Sequence, residues 1–285
     1  MMVVGAVASV QSGAAIATKL FPAIGPGGAV FLRLGISALL LLAVARPRLG
    51  AATRTDLLLA ASFGIVLAGM NLSFYFALDR VPLGLAVTVE FLGPLGVAVV
   101  GSRRPLDVLW VALAAAGVVL LAGGGGHIDR VGLLLAAIAG CLWAAYIIAS
   151  QRVGRVFPGA AGLTIALTVG SVLLAPYGLV AGGRALWRPS ILGKGAAVAL
   201  LSSAVPYSLE LAALRRLRAS VFGILMSLEP AMAALSGFVL LGQHLEVHEW
   251  IAVGAVMVAS IGATRRREAL PDAAAAAPAK DEVRV

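Results

Sequence analysis

Long apolar stretches recur along the whole chain, and they constrain the fold more than any other feature. A helix needs about 20 apolar residues to cross the hydrocarbon core of a bilayer. Ten stretches approach or exceed this length: Val3–Leu20, Gly28–Ala45, Asp56–Leu78, Pro82–Gly101, Val108–Gly123, Val131–Ser150, Gly159–Gly182, Gly195–Leu214, Ala219–Leu241 and His248–Ala263. The sequence therefore predicts an all-α membrane protein with ten transmembrane helices.

The composition argues against a soluble domain. Hydrophobic residues make up 61% of the 285 positions and charged residues only 12%, whereas soluble domains carry about 25% charged residues. The net charge of +9 does not indicate a nucleic-acid partner, because the basic residues stand singly or in twos and threes between apolar stretches. The single cysteine, Cys141, excludes an intrachain disulfide.

The positions of Lys and Arg predict the orientation in the membrane. Cytoplasmic loops carry an excess of these residues. With the N-terminus in the cytoplasm, fifteen of the 22 fall on the cytoplasmic side, six fall in outer loops, and Arg33 lies within a span. We therefore expect both termini in the cytoplasm. Residues 265–285 are charged, proline-containing and alanine-rich, and are expected to form a disordered cytoplasmic tail.

The two halves of the chain show a weak internal repeat. Three residue pairs share an offset of 136 positions: Ala77 with Ala213, Pro94 with Pro230, and Gly101 with Gly237. Each half holds five predicted helices, and five is odd, so the halves enter the membrane from opposite sides. The prediction is two inverted five-helix repeats, residues 1–123 and 131–264, an architecture typical of secondary transporters.

Pro94 and Pro230 are predicted helix breaks. A proline within a helix removes one backbone hydrogen bond and frees the carbonyl four residues earlier, here that of Glu90 or Met226. Interrupted spans at corresponding places in two halves point to a central transport site. A simple packing kink is the alternative for either proline alone.

Ionisable residues within the spans are the next candidates for a site. Such residues are costly in a bilayer and usually face a cavity or a partner. Glu90, Glu229 and Arg33 are the clear cases. A structural ion pair between Arg33 and Glu229 is the alternative to a functional role. Further polar and aromatic side chains expected to complete a pocket are Gln11, Asn71, Tyr75, Trp143, Tyr146 and Tyr207.

No pattern for hydrolytic chemistry is visible. The sequence has no His-Glu-x-x-His string, and no Asp lies deep in a predicted span. His244, Glu246, His248 and Glu249 fall in a predicted outer loop, which does not favour a metal site. We therefore expect no catalytic residue, no metal and no cofactor.

Several longer strings resemble a known family. They are Ala68-Gly69-Met70-Asn71, Val81-Pro82-Leu83-Gly84, Val89-Glu90-Phe91-Leu92-Gly93-Pro94, Ser102-Arg103-Arg104-Pro105-Leu106-Asp107, Pro206-Tyr207-Ser208-Leu209-Glu210 and Phe222-Gly223-Ile224-Leu225-Met226-Ser227-Leu228-Glu229-Pro230. From about Ser9 to Thr264 the chain resembles the EamA family of the drug/metabolite transporter superfamily, and within it the bacterial exporters of threonine and homoserine. Leu241-Gly242-Gln243 departs from the family pattern, which usually ends this string in Glu.

The resemblance implies an inner-membrane secondary transporter, not an enzyme, that exports small neutral amino acids by proton antiport. Its partners would be the amino acid, protons and the lipid bilayer. Glu90 and Glu229 suit proton coupling and the substrate ammonium, and Arg33 suits its carboxylate. The other expected substrate-binding residues are Asn71, Tyr207 and Ser227, as partners of a substrate hydroxyl, and Trp143 and Tyr146.

Two other functions stay open at this point. A member of the same superfamily could export purines, drugs or bulky amino acids through a wider pocket. An intramembrane transferase acting on lipid-linked substrates is less favoured, because the sequence shows neither clustered acids nor a nucleotide-binding motif at one face. The oligomeric state is not indicated by the sequence.

Overall fold

The chain is almost entirely helical. The computed structural model describes residues 1–46, 52–100, 105–123, 129–206, 209 and 224–265, and none of these forms a strand. The α-helices are α1 (Met2–Thr18), α2 (Phe21–Ala45), α3 (Arg54–Leu78), α4 (Leu83–Glu90), α5 (Leu92–Val100), α6 (Pro105–Gly123), α7 (Arg130–Val156), α8 (Ala161–Gly182), α9 (Pro189–Ala199), α10 (Glu229–Leu241) and α11 (Val247–Arg265). A 3-10 helix, Gly183–Trp187, follows α8, and a π-helix, Leu200–Ala204, follows α9. Tyr207 and residues 266–285 of the predicted tail lie outside the described residues.

Five helices are long and apolar enough to cross a bilayer. They are Phe21–Ala45, Arg54–Leu78, Arg130–Val156, Ala161–Trp187 and Ile224–Leu241. Large apolar side chains also lie on the outside of the bundle: Val44 is 82% exposed and Val180 is 84% exposed. Such a surface is unfavourable in water and suited to lipid. The prediction of an all-α membrane protein is confirmed for the described residues.

The fourth predicted span is two helices instead of one. Helix α4 ends at Glu90, Phe91 forms a turn, and α5 begins at Leu92. The turn lies three residues before Pro94, and α5 begins two residues before it. A similar turn at Ser227 and Leu228 precedes α10 and Pro230. Both interruptions therefore lie just before the two prolines, where a backbone hydrogen bond is lost.

Helix α2 is interrupted near its start. The predicted span begins at Gly28, and the preceding stretch from Phe21 to Gly27 contains two prolines and two glycines. In the structure Phe21–Ala45 consists of two helical segments joined at Gly25, whose φ of 65° and ψ of 168° are not helical. Only glycine adopts this backbone conformation without strain. The kink at Gly25 therefore separates a short first segment from the long helix that contains the predicted span.

Two polar contacts fasten helix ends outside the bundle core. Asp129 caps α7 by accepting hydrogen bonds from the backbone N–H groups of Val131 and Gly132, and it forms a salt bridge of 2.8 Å with Arg80. The hydrogen bond from Arg80 holds the pKa of the Asp129 carboxyl below its usual range. Gln243, the departure from the family pattern, accepts a 3.0 Å hydrogen bond from the Leu83 N–H through its Oε1 atom. The amide oxygen thereby caps α4, so this position does not require an acid.

The helices pack in a regular set of pairs. The main contacts join α2 to α8 and α9, α3 to α7 and α8, α4 to α7 and α10, α5 to α7, α1 to α9 and α10, and α6 to α11. Glycine permits the closest of these approaches. A Cβ atom on Gly84 would lie 2.8 Å from the Ala234 Cα, and one on Gly93 would overlap the carbonyl of Gly140. The break between α4 and α5 is therefore held directly against the backbone of α7.

Candidate functional site

A cavity of about 310 Å³ lies in the middle of the bundle, where α1, α2, α3, α4, α7 and α8 meet the π-helix and the start of α10. Its volume lies at the small end of the range for small-molecule sites, which begins at about 300 Å³. Seven side chains named from the sequence line it: Gln11, Arg33, Asn71, Glu90, Trp143, Tyr146 and Glu229. The fold therefore gathers residues from both halves of the chain around one space.

Glu90 reaches the cavity because helix α4 ends there. It is the last residue of α4 and is 8% exposed. Its backbone is packed against Gly140, where a Cβ atom would lie 2.7 Å from the Glu90 carbonyl oxygen. The Glu90 carboxyl group is thus positioned by a contact between two backbones, which leaves it little freedom to move.

Glu229 occupies the corresponding interruption in the second half. It is the first residue of α10 and is 6% exposed. Its Oε1 atom accepts a 3.2 Å hydrogen bond from the Gln11 Nε2 atom of α1. A carboxylate at the beginning of a helix is also favoured by the helix dipole. The Gln11 hydrogen bond and the helix start both favour an acid at this depth.

Arg33 is held by an aromatic residue. Its Nη1 atom donates a 3.4 Å hydrogen bond to the Tyr75 hydroxyl, and its guanidinium lies 5.6 Å from the centre of the Tyr75 ring. Arg33 forms no salt bridge with any carboxylate in the described part of the chain. A guanidinium that faces a cavity in this way has N–H donors left for an anionic ligand group.

Asn71, Trp143 and Tyr146 form other parts of the wall. The Asn71 Nδ2 atom donates a 2.9 Å hydrogen bond to the Leu67 carbonyl, so its second N–H and its amide oxygen have capacity for a ligand. Trp143 and Tyr146 lie on one face of α7 and contact the rings of Phe91 and Phe63, at 5.8 Å and 5.0 Å between ring centres. These aromatic contacts stiffen the wall.

Of the described residues named from the sequence, Ser227 and Tyr75 do not line the cavity. Ser227 is fully buried, and its Oγ atom lies 2.7 Å from the Ser260 Oγ atom of α11. Tyr207 lies outside the described residues, although the neighbouring Pro206 does line the cavity. The turn before α10 therefore places Glu229 and Ser227 on different sides of the same segment.

Three serines line the cavity that the sequence reasoning missed. They are Ser37 of α2 and Ser202 and Ser203 of the π-helix. The Oγ atoms of Ser37 and Ser203 lie 2.9 Å apart. A signal was present in the sequence, because Ser37 stands four residues after Arg33 and therefore one helical turn further along the same face.

The described residues of the wall include one cation and two acids, namely Arg33, Glu90 and Glu229. Both carboxyl groups therefore face the same space as the guanidinium. Such a set of described residues offers partners for both ends of a zwitterion.

Comparisons with known proteins give consistent matches. The model of the EamA-like transporter family matches residues 130–265. The threonine/homoserine exporters RhtA of Escherichia coli K12 and of Salmonella typhimurium LT2 are each 44% identical over 265 residues, covering 91% of this chain and 88% of theirs. The uncharacterized inner membrane transporter YedA of Escherichia coli K12 is 26% identical over 278 residues, 92% of this chain and 88% of its own length. A solved crystal structure superimposes with a TM-score of 0.60 at 22% identity, over 93% of this chain and 96% of the other, and so shares the fold.

Proposed function

Since the chain belongs to the EamA-like transporter family, we propose that it exports threonine and homoserine across the inner membrane in exchange for protons. The chain is a multi-pass membrane transporter, and the relatives with assigned names are transporters as well. The intramembrane transferase considered from the sequence is therefore set aside. The observation that carries the substrate is the 44% identity to threonine/homoserine exporters over 91% of the chain.

The charges of the cavity support a zwitterionic substrate. Arg33 provides a bidentate donor for a carboxylate, and Glu90 and Glu229 provide acceptors for an ammonium group. The volume of about 310 Å³ accommodates a short amino acid and is small for a bulky drug, and the presence of both charge signs favours a zwitterion over an uncharged purine. Trp143 and Tyr146 limit the space on the α7 side, and the Asn71 amide oxygen adds one polar acceptor.

Proton coupling follows from the two acids in the same cavity. Glu90 and Glu229 line one cavity, and a carboxylate there can bind either a proton or the substrate ammonium. The two cations therefore compete for the same carboxyl groups, Glu90 and Glu229. An antiporter requires this competition, because proton binding on one side must displace the substrate there.

The proposed architecture is ten spans in two inverted repeats. In this scheme α4 and α5 form the fourth span, and α9 with the π-helix belongs to the eighth. The repeat pairs α1 with α7, α2 with α8, and α3 with α9. Under this exchange the contact of α3 with α7 corresponds to that of α9 with α1, and the contact of α3 with α8 corresponds to that of α9 with α2; all four contacts are present. The pairs α2–α8, α4–α10 and α6–α11 exchange with themselves. This packing supports a pseudo-two-fold axis through the bundle.

The proposed orientation places both termini in the cytoplasm, as the distribution of Lys and Arg predicts. A reporter that is active only in the periplasm tests it. Fused after Arg265 it should be silent, and inserted at His127, between α6 and α7, it should be active. The opposite pattern would exclude this orientation.

Counterflow in liposomes tests the function itself. Purified protein is reconstituted with unlabelled homoserine inside, and the entry of labelled homoserine or threonine is measured with and without an imposed pH gradient. We expect both amino acids to exchange and the gradient to drive accumulation. Arg33→Gln should abolish exchange if Arg33 binds the substrate carboxylate, and Arg54→Gln, at the exposed start of α3, is the matched control. Transport restricted to aromatic amino acids, purines or cationic drugs would exclude the proposed substrate.

A further inference from the structure

The residues considered so far leave the recognition of a substrate hydroxyl incomplete. The Ser227 hydroxyl contacts Ser260 and does not line the cavity. The Asn71 amide donates one N–H to the Leu67 carbonyl and keeps its second N–H and its oxygen for a ligand. A site that selects hydroxylated amino acids needs polar groups that can both donate to and accept from an O–H group, and a hydroxyl side chain combines both in one atom.

The π-helix Leu200–Ala204 supplies such groups. Its consecutive residues Ser202 and Ser203 both line the cavity. The Ser9 hydroxyl of α1 donates a 2.7 Å hydrogen bond to the Leu201 carbonyl within this segment. The local irregularity is therefore stabilised by a neighbouring helix, as is common where a π-helix serves a site.

The serine hydroxyls have unused hydrogen-bonding capacity. One O–H group joins the Ser37 and Ser203 oxygens at 2.9 Å, so the other O–H group of this pair remains a donor. Ser202 is 8% exposed, and its hydroxyl, which lies beside Gly13, has no hydrogen-bond partner among the described residues. An unpaired buried hydroxyl is unfavourable, and a ligand hydroxyl that reaches it by rotation of the Ser202 side chain would satisfy it.

The serines also lie at a suitable distance from Arg33. Ser37 follows Arg33 by four residues on α2, which is a rise of about 6 Å along the helix. A short amino acid whose carboxylate binds Arg33 would extend its side chain along α2 towards Ser37 and Ser203. Its ammonium group would then face Glu90 and Glu229 in the same cavity.

We propose that Ser37 and Ser203, assisted by Ser202, bind the side-chain hydroxyl of the transported amino acid and select hydroxylated substrates over apolar ones of the same size. This inference rests on the proposed export function and defines its specificity. The serines are specificity-determining residues, because the charged ends of the zwitterion are bound elsewhere. Their loss should therefore change which amino acid is preferred more than whether amino acids are transported.

A matched set of substrates tests the proposal. Threonine and homoserine both become 2-aminobutyrate when the hydroxyl group is removed, so one analogue serves both. Competition by each of the three against labelled homoserine is measured in the same proteoliposomes, and the ratio of half-inhibitory concentrations is compared between proteins. This ratio does not depend on the amount of protein inserted.

We expect the wild type to prefer the hydroxylated substrates by about three- to tenfold, as one net hydrogen bond between uncharged groups provides. Ser37→Ala and Ser203→Ala should each reduce this preference to about one- to threefold, mainly by weakening homoserine, while 2-aminobutyrate competes as before. The double variant should fall little further, because the two serines share one hydrogen bond. Ser62→Ala, whose hydroxyl contacts only the Leu59 carbonyl on the exposed side of α3, should keep the wild-type ratio.

The outcomes separate the two proposals. A wild type that transports none of the three amino acids would refute the proposed function. A wild type that transports homoserine, with a preference unchanged in both Ser37→Ala and Ser203→Ala, would overturn the role of the serines alone. If Ser203→Ala fails to insert into the membrane, Ser37→Ala still tests the same hydroxyl pair, because Ser37 contributes its other member from α2.

Discussion

Substitution of Gly140 by Ala tests how the break after α4 is positioned. A Cβ atom at Gly140 would lie 2.7 Å from the carbonyl oxygen of Glu90 and 3.3 Å from its carbonyl carbon. Because these are backbone atoms, no side-chain rotation relieves the overlap, and ordinary contact begins at 3.4 Å. Helix α4 and the Glu90 carboxyl would therefore move by about 0.7 Å, more than the roughly 0.5 Å within which a binding constellation must be held.

The energetic cost follows from overpacking, which typically amounts to about 1–3 kcal/mol. We expect Gly140→Ala to lower the unfolding temperature of the purified protein in detergent and to reduce counterflow even in proteoliposomes that contain equal amounts of folded protein. Both measurements are needed, because stability reports on the packing and transport reports on the position of Glu90.

Gly154→Ala is the matched control on the same helix. A Cβ atom at Gly154 meets nothing within 4 Å, and the residue is exposed. Replacing a helical glycine by alanine without a clash stabilises by about 0.4–1 kcal/mol. Gly154→Ala should therefore be at least as stable as the wild type and fully active. If Gly140→Ala behaves like this control, the backbone contact does not position Glu90.

Three further predictions concern the charged groups. Glu90→Gln and Glu229→Gln should each remove gradient-driven accumulation but preserve counterflow, because an amide keeps hydrogen bonding and cannot titrate. An unchanged response to the pH gradient in both variants would limit these acids to a structural role. Tyr75→Phe removes the hydroxyl partner of Arg33 but keeps the ring below the guanidinium, so the half-saturation concentration for homoserine should rise about twofold, and an unchanged value would mean that the 3.4 Å hydrogen bond does not orient Arg33. The folded-state pKa of Asp129 lies below its unfolded value. Its salt bridge with Arg80 therefore stabilises the protein above a pH of about 4, and this stabilisation is lost as the pH falls through the folded pKa. In thermal unfolding, Asp129→Asn should be less stable than the wild type at pH 7, and the difference should vanish in acid.

Hydropathy and proline placement were sufficient to predict most of the scaffold. The stretch Asp56–Leu78 corresponds to α3 at Arg54–Leu78, because its polar borders are sharp. The interruption after Glu90 could be expected from Pro94, since the lost hydrogen bond is a local property of the chain. The short helical segment before Gly25 could not, because a proline- and glycine-rich stretch carries no apolar periodicity and its helical turn depends on packing.

The site was predictable where a residue type is costly in a membrane. Glu90, Glu229 and Arg33 stood out because each needs a cavity or a partner. Ser202 and Ser203 did not, because a serine in a membrane helix usually bonds to its own backbone and carries no signal. They stand in a π-helix, which apolar periodicity does not reveal. Ser227 was proposed for its place beside Glu229, but the turn before α10 directs its hydroxyl to Ser260.

The two interruptions are similar in backbone but differ in chemistry, and this difference bears on the proposed coupling. The offset of 136 places Met226 opposite Glu90 and Gly93 opposite Glu229, so each half contributes one acid from a different side of its break. Both acids line the same cavity. Under the proposed antiport, two ionised carboxylates with no cation bound would repel each other and oppose a rearrangement that brings the halves together around the site. A proton or a substrate ammonium would remove that repulsion, so the proposal expects the loaded states to rearrange and the empty one to stay in place. An exchanger requires this constraint, and the proposal derives it from two acids that belong to opposite halves.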